Sequence, residues 1–251
     1  MLARPCPPKS HAELVQEWDQ LAGERHRQIA SGEDVSFEHV IVPTTLRLLE
    51  SADRAVVLEI GSGTGEFTAR LAGVAGRVIA MEPSHASVVL ARRVCQPLQS
   101  VRFIEAPLEE AASGLDEPAT AAVAAMSLMT TPDLRAFAGA LATCLQTRAR
   151  FVATLTHPWF WPKYWGYEDE PWFHYGVETF IEAPFKISRQ RTSFRTTHVH
   201  RPLEHYINVF AEEGFQLDAL SEPMPRPHLQ ALYPSPWRFP RFLGLRWEKV
   251  A

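Results

Sequence analysis

Hydrophobic positions follow two spacings along the chain, and their alternation predicts a layered α/β fold. Leu14, Val15, Trp18, Leu21 and Ala22 recur every three or four residues, which predicts a helix over residues 11–30, and a second helix follows at about 38–50. Short apolar runs predict strands, and amphipathic stretches between them predict helices. The strands are expected at 56–60, 77–81, 101–105, 120–127 and 149–156, and the helices at 67–74, 84–96 and 133–146. This order indicates a doubly wound, mostly parallel sheet covered by helices.

The pattern changes after the fifth strand. Residues 157–201 have no helical period and contain four of the seven tryptophans: Trp159, Trp161, Trp165 and Trp172. Periodicity returns as a helix over 202–213, with Gly214 at its expected end. Strands at 215–220 and 239–248 follow with no helix between them, so they can pair antiparallel.

We therefore expect one domain, residues 1–251, in four parts. They are an N-terminal helical cap (1–50), a core (51–156), an insert that covers the substrate (157–201), and a closing helix with the last two strands (202–251). The proline-rich residues 1–10 are expected to be loose.

Composition limits the classes of function. The 251 residues are 46% hydrophobic and 22% charged, which is ordinary for a soluble globular protein. A net charge of −4 gives no general attraction to nucleic acid or acidic membranes. We expect no membrane span, since no run approaches about 18 apolar residues. Three scattered cysteines have no metal-ligand spacing and favour a reducing, cytoplasmic location.

A glycine loop carries the strongest chemical signal. Gly61, Gly63 and Gly65 follow the strand at 56–60 and precede a helix, whose free N–H groups and dipole favour a bound ligand. Glu82 lies 21 residues after Gly61, at the end of the next strand, where a carboxylate can accept hydrogen bonds from ribose hydroxyls. A solvated loop carboxylate is the alternative for Glu82, and the Pro83-Ser84 turn after it disfavours that alternative.

Two acidic residues bear on the choice of cofactor. Glu66 occupies the third glycine position of the dinucleotide fingerprint, where its carboxylate would sit badly against a pyrophosphate. It is acceptable beside a cofactor with an amino acid tail, and Glu59 adds negative charge where an ammonium or sulfonium could lie. The loop therefore favours S-adenosylmethionine over NAD, and an NAD-linked oxidoreductase is the weaker alternative.

The segment Glu59-Ile-Gly61-Ser-Gly63-Thr-Gly65 resembles the signature loop of class I S-adenosylmethionine-dependent methyltransferases. The segments 78–84, 151–158, 200–223 and 240–246 resemble small-molecule, type 11-like members, so the resemblance runs from about Trp18 to Trp247. It implies a Rossmann-like seven-stranded sheet whose last strand is antiparallel. The expected cofactor-binding residues are Trp18, Glu59, Gly61, Ser62, Gly63, Gly65, Glu82, Pro83, Leu108 and Met126.

One position departs from the family pattern. Members often carry an aspartate after the third strand that bonds adenine, and here Pro107 stands there, with neither a carboxylate nor an N–H. Either Glu105 or Glu109 substitutes, or backbone and stacking hold the adenine. The end of the fourth strand, residues 126–129, is also less polar than usual. These departures motivate the alternative of a non-catalytic protein that binds S-adenosylmethionine or S-adenosylhomocysteine.

The acceptor side depends on the insert. His157 stands at a strand end and is the first candidate for a general base, with Tyr164 and His200 in reserve; a role in shaping the His-Pro turn is the alternative. The aromatic cluster can be packing over the core, or it can be the wall of a pocket for a flat or lipophilic acceptor or for a cationic one attracted by the ring faces. The halves 157–182 and 183–203 carry opposite charge, which fits mutual pairing or contact with an anionic substrate.

The predicted function is methyl transfer to an oxygen or nitrogen of a small aromatic or lipophilic acceptor. We expect a small-molecule partner, no nucleic acid and no catalytic metal, and a homodimer as one assembly that the sequence permits.

Overall fold

The computed structural model describes residues 3–188 and 190–250. The elements, numbered in chain order, are β1 (Arg4–Pro5), α1 (His11–Ala30), α2 (Val42–Leu49), β2 (Val56–Ile60), α3 (Glu66–Ala72), β3 (Arg77–Met81), α4 (His85–Val94), β4 (Val101–Ile104), α5 (Leu108–Ala111), β5 (Ala119–Ala125), α6 (Leu134–Cys144), β6 (Leu145–Thr156), α7 (Phe160–Trp165), β7 (Thr179–Lys186), β8 (Arg191–His200), α8 (Leu203–Glu212), β9 (Phe215–Ser221) and β10 (Phe242–Lys249). A π-helical turn, Phe37–Ile41, leads into α2.

The central sheet has seven strands in the order β4-β3-β2-β5-β6-β10-β9. Strands β2 to β6 run parallel, and β10 is antiparallel to both β6 and β9. The predicted Rossmann-like sheet with an antiparallel last strand is therefore confirmed. The order reverses at β2, so the carboxyl ends of β2 and β5 flank a crevice in which ligands bind in open α/β sheets.

Apolar residues cover both faces of this sheet. On one face, α6 and α8 pack through Phe137 and Phe210 against the Phe151 ring, which stacks on Trp247 at 5.3 Å. On the other face, α2 and α3 pack on Val57, Val78 and their neighbours. Strand β5 is almost entirely alanine and valine and is buried, because helices cover it from both sides.

The N-terminal cap rests on the core through helix α1. A Ser10 capping box begins this helix, as Glu13 and Ser10 bond each other's backbone N–H. Farther along, Asp19 accepts hydrogen bonds from Ser84 Oγ (2.6 Å) and from the Ala86 N–H (3.1 Å), at the start of α4. This contact sets α1 across the crevice.

The insert is more regular than its sequence indicated. Strands β7 and β8 form an antiparallel hairpin, and β1 pairs with β7 to make a second, three-stranded sheet. The prediction that residues 1–10 are loose is wrong for residues 3–10, because β1 is hydrogen bonded to this hairpin and Ala3 is buried in its apolar cluster. The hairpin was missed because no sequence period marks contacts made with so distant a segment.

Ion pairs fasten the insert, as the mutual-pairing alternative predicted. The Glu182 carboxylate accepts from Arg195 (2.5 Å), Arg4 (2.9 Å) and Lys9 (3.1 Å), which joins both charge halves of the insert to the N-terminal segment. Burial alone would raise the pKa of Glu182, but these three hydrogen bonds outweigh it and lower the pKa to about 2.

We expect Glu182→Gln to destabilise the protein by about 1–2 kcal/mol, since it weakens three charged hydrogen bonds at once. Because the pKa of Glu182 is lower in the folded than in the unfolded state, this stabilisation is present above pH 4.5 and is lost as the pH falls toward 2. Urea unfolding at pH 7 measures the change. Glu212→Gln, at an exposed pair with Arg135, is the control and should change the stability much less than Glu182→Gln. Equal losses in the two variants would contradict the assignment.

Candidate active site

The three glycines of the loop after β2 have different structural roles. All have positive φ: 73° at Gly61, 54° at Gly63 and 92° at Gly65. A Cβ would lie 2.4 Å from Ser127 Cβ if added at Gly61, and 2.7 Å from Ala91 Cα if added at Gly65. At Gly63 it would meet nothing within 4 Å. Packing of the chain therefore requires the outer two glycines, whereas the middle one faces open space.

That open space is a cavity bounded by the glycine loop, the ends of β3 and β5, and one face of α1, and we call it the cofactor cavity after the ligand predicted for the loop. Of the ten predicted cofactor-binding residues, nine line it: Trp18, Glu59, Gly61, Ser62, Gly63, Glu82, Pro83, Leu108 and Met126. Gly65 is not among the lining residues, because it is turned against α4. Sequence reasoning missed His11 and Arg25 of the α1 wall, since helical periodicity alone does not identify what a helix covers.

Two buried carboxyl groups stand behind the glycine loop. Glu82 accepts from the N–H groups of Gly63 and Ser84, both at 2.8 Å, yet burial dominates and raises its pKa to about 7. Burial also raises the pKa of Glu59 to about 8. Within the described chain, Glu59 Oε2 and Ser62 Oγ are buried without a hydrogen-bond partner. A cofactor with an ammonium group and hydroxyls would supply those partners, so the residues present fit S-adenosylmethionine.

Glu105 and Glu109, the two residues predicted to replace the missing adenine-binding aspartate, lie in different places relative to the cavity. Glu105 lies on the surface, where its carboxylate bonds His85 Nδ1 at 2.8 Å. Glu109 lines the cavity together with Pro107 and Leu108. Of the two carboxylates, only Glu109 is placed to reach an adenine held there.

A second cavity lies under the insert, and we call it the acceptor cavity. Its empty volume, including the part open to solvent, is about 960 Å³, and aromatic side chains form much of its wall: Trp18, Trp161, Tyr164, Trp165, Phe185 and Phe242. Trp18, Arg25, Met126 and Thr130 line both cavities. Met126 has a φ of 61°, a strained value for this residue, and such strain is concentrated at functional sites. The two cavities thus meet at the carboxyl end of β5.

The predicted catalytic residues are not all at this junction. Tyr164 lines the acceptor cavity. His157 lines neither cavity described here: its Nε2 lies 2.9 Å from Glu222 Oε1, and its Nδ1 accepts from the Trp159 N–H at 3.2 Å. These contacts fit the turn-shaping alternative, in which the imidazole holds the start of α7.

His200 also lies outside both cavities, with Nε2 2.9 Å from the Tyr175 carbonyl oxygen. Its neighbour His198 does line the acceptor cavity, and burial, together with the charge of His200, lowers the pKa of His198 to about 3. The positions of His157 and His200 do not support direct action on an acceptor. Strand alternation would not have separated His198 from His200, because residues two apart in a strand lie on the same face of the sheet.

Three further observations describe the molecule as a whole. No helix in residues 3–188 and 190–250 is long and apolar enough to cross a membrane. Cys6, Cys95 and Cys144 are free thiols. Within the same residues, no three His, Cys, Asp or Glu side chains are grouped as metal ligands would be.

The sheet order, the glycine loop and the carboxylate at the end of β3 define an α/β fold of the class I methyltransferase type. Residues 57–148 match the family model described as a methyltransferase domain. The chain therefore has the fold of class I S-adenosylmethionine-dependent methyltransferases, and its residues 57–148 are similar to a methyltransferase domain. A comparison with curated protein sequences gives no match.

Solved structures share the fold at low sequence identity. A Burkholderia thailandensis 1,6-didemethyltoxoflavin-N1-methyltransferase, with its substrate and S-adenosylhomocysteine bound, is 17% identical, with a TM-score of 0.63 over 99% of this chain and 95% of its own. A Clostridium acetobutylicum S-adenosylmethionine-dependent methyltransferase is 12% identical, with a TM-score of 0.65 over 90% and 99%. The N-methyltransferase NodS of Bradyrhizobium japonicum is 14% identical, with a TM-score of 0.57 over 84% and 94%.

Proposed function

We propose that the protein transfers the methyl group of S-adenosylmethionine to an oxygen or nitrogen of a small aromatic or lipophilic acceptor held in the acceptor cavity. The observation that carries this proposal is the junction of the two cavities at Trp18, Arg25, Met126 and Thr130. An acceptor lying under the aromatic wall would meet the cofactor there. The names of two structural neighbours specify N-methylation, which favours nitrogen as the atom methylated.

Positioning supplies most of the catalysis in this proposal. S-adenosylmethionine supplies an activated methyl group when bound, and the protein must hold an acceptor atom in line with it. Trp18 packs edge-to-face on Phe185 at 5.9 Å, which joins the cap to the insert beside the junction. Tyr164 lines the acceptor cavity, and we propose it as the predicted catalytic residue that contacts the acceptor.

The remaining expectations stay proposals. We propose a cytoplasmic location, which suits three free thiols. His157 and His200 are proposed to support the fold of the insert rather than to move protons, and a homodimer remains an untested assembly.

The binding step is tested by calorimetry with S-adenosylhomocysteine and NAD side by side. We expect S-adenosylhomocysteine to bind and NAD not to bind. Transfer is then tested by incubating the protein with S-adenosylmethionine labelled in the methyl group and pools of small aromatic amines and phenols. Label entering a product supports the proposal. Tight S-adenosylhomocysteine binding with no transfer to any pool would favour the non-catalytic alternative.

Filling the acceptor cavity should abolish transfer without disturbing the cofactor. Thr196 of β8 lines the acceptor cavity and not the cofactor cavity, so Thr196→Trp places an indole where the acceptor would lie. We expect turnover to fall at least tenfold while S-adenosylhomocysteine affinity changes less than threefold. Ser193→Trp, at an exposed position of the same strand, is the matched control and should retain both. Unchanged turnover in Thr196→Trp would place the acceptor elsewhere.

A further inference from the structure

The acceptor cavity has a charge opposite to that of the protein. The chain has a net charge of −4, yet this cavity is lined by three cations, Arg25, Lys186 and Arg241, and by one carboxylate, Asp34. Asp34 is already paired, since its Oδ2 lies 2.7 Å from Arg25 Nη1. A basic cavity in an acidic protein concentrates anions and repels cations.

Arg241 is the most unusual of these cations. It precedes β10, and its side chain is buried with only 8% of the residue exposed. No carboxylate oxygen in residues 3–188 and 190–250 lies within 4 Å of a nitrogen of its guanidinium group. Burial lowers the pKa of Arg241, which reflects the cost of a buried charge that lacks a counter-ion.

Aromatic rings hold the Arg241 guanidinium in place. Its Cζ lies 4.1 Å from the Tyr164 ring centroid and 4.4 Å from that of Trp237. Lys186 Nζ lies 4.0 Å from the same Tyr164 centroid and 3.9 Å from that of Trp165. Ring faces favour a cation but compensate a buried charge only in part. The rings also fix the direction of the guanidinium fork, which is the arrangement that recognises planar oxyanions by two parallel hydrogen bonds.

We propose that the acceptor carries a carboxylate, which Arg241 binds, with Lys186 adding to the positive potential on the same side of the cavity. This inference rests on the proposed methyl transfer and gives its substrate class: an organic acid with an apolar or aromatic body. The carboxylate supplies the counter-ion that no described residue provides for Arg241 within 4 Å. The aromatic wall then takes the body of the acceptor and directs its hydroxyl or amine toward the junction at Met126 and Thr130.

The test compares matched anionic and neutral probes in the presence of S-adenosylhomocysteine. The probes are 4-hydroxybenzoate, 4-aminobenzoate, indole-3-acetate and hexanoate, each paired with its primary amide, and binding is followed by calorimetry. We expect acids to bind at least tenfold more tightly than their amides. Phenylphosphonate is a further arm that distinguishes a carboxylate site from a general oxyanion site.

Substitutions connect that preference to one side chain. Arg241→Gln should remove the preference for acids and leave amide binding within about threefold, and Arg241→Lys should restore only part of it. Arg238→Gln removes the same charge from an exposed position three residues away and is the control. An acid-to-amide ratio near one across the whole series, or a ratio that survives Arg241→Gln, would overturn the proposal, as would a stronger preference for phosphonate than for carboxylate.

A stability measurement gives an independent readout. If no protein carboxylate pairs with Arg241, then Arg241→Met should leave the Tm of the ligand-free protein unchanged or higher. A fall of several degrees would mean that the ring contacts with Tyr164 and Trp237 already compensate the buried charge in full and would contradict the proposal. The binding measurement does not depend on turnover. Binding of acids without any methyl transfer would support the carboxylate site and reject the proposed function. Methyl transfer to neutral acceptors at a rate that Arg241→Gln does not change would support the proposed function and reject the carboxylate site.

Discussion

Gly63→Ala should weaken S-adenosylhomocysteine binding by at least a hundredfold while the protein remains folded. Gly63 has a φ of 54° and no atom within 4 Å of the place where a Cβ would stand, so the fold itself leaves room for a methyl group. The left-handed conformation costs alanine about 1–2 kcal/mol. The larger effect falls on the cofactor, since the methyl group would project into the cavity where the cofactor approaches the backbone.

Two other glycines make the comparison decisive. Gly32 also has a positive φ, of 72°, with no atom within 4 Å of the added Cβ, and it lies outside both cavities. Gly32→Ala should therefore lose the same stability and keep wild-type affinity. Gly65→Ala drives a Cβ to 2.7 Å from Ala91 Cα and should destabilise the fold by about 3 kcal/mol. Calorimetry and thermal unfolding measure these effects, and loss of affinity in Gly32→Ala equal to that in Gly63→Ala would reject the assignment.

Cofactor affinity should rise about tenfold between pH 6 and 7 and about fivefold between pH 7 and 8, and Glu59→Gln should flatten that dependence. Burial raises the pKa of Glu59 to about 8, so at pH 7 this carboxyl is mostly protonated in the free protein. A cofactor ammonium beside it favours the ionised form. Binding therefore releases a proton, and raising the pH toward 8 favours binding.

The same shift makes the ligand-free fold less stable as the pH rises. The folded pKa of Glu59 lies above its unfolded value of 4.5, so the protonated carboxyl contributes fully at low pH, and its contribution is lost progressively up to pH 8. Glu82, at about 7, acts in the same direction over a narrower range. Saturating S-adenosylhomocysteine should reduce this loss.

Calorimetry in buffers of different ionisation enthalpy measures the proton released on binding, which should fall by up to one in Glu59→Gln. Glu213→Gln, at an exposed position outside both cavities, should behave as wild type. If the wild-type affinity proves independent of pH, Glu59 is ionised in the free protein and the assignment fails.

The parts of the site that could be predicted from sequence are those built by local backbone chemistry. The glycine loop and the carboxylate at the end of β3 are coded by residues at fixed spacing, and they take the expected positions. The role of His157 could not be decided from the local sequence. Its place at a strand end is the same for a base and for a turn former, and only the contact with Glu222, 65 residues away, separates the two.

The wall of the acceptor cavity could not be predicted from the sequence either, because it is built from distant segments. Arg241, Tyr164 and Lys186 come from three separate segments, and nothing local to each reveals that they share one wall. The opposite charge of the insert halves was visible in the sequence, but it did not distinguish charges that pair within the protein from charges that could bind a substrate. Glu182 and Arg195 pair with each other, as expected of a structural network, whereas Arg241 lies outside the insert altogether.

Strand β1 and helix α1 affect the order in which the protein folds during synthesis. Glu17 of α1 accepts from the Thr197 N–H at 2.6 Å, and Arg4 bonds Glu182 across 178 residues of sequence. The cap therefore leaves the ribosome early but has to wait for the hairpin before it can dock. Contacts between such distant segments form slowly because they close a long loop. We expect the central sheet to assemble first and cofactor binding to appear only in a later kinetic phase, when the earliest and latest parts of the chain meet.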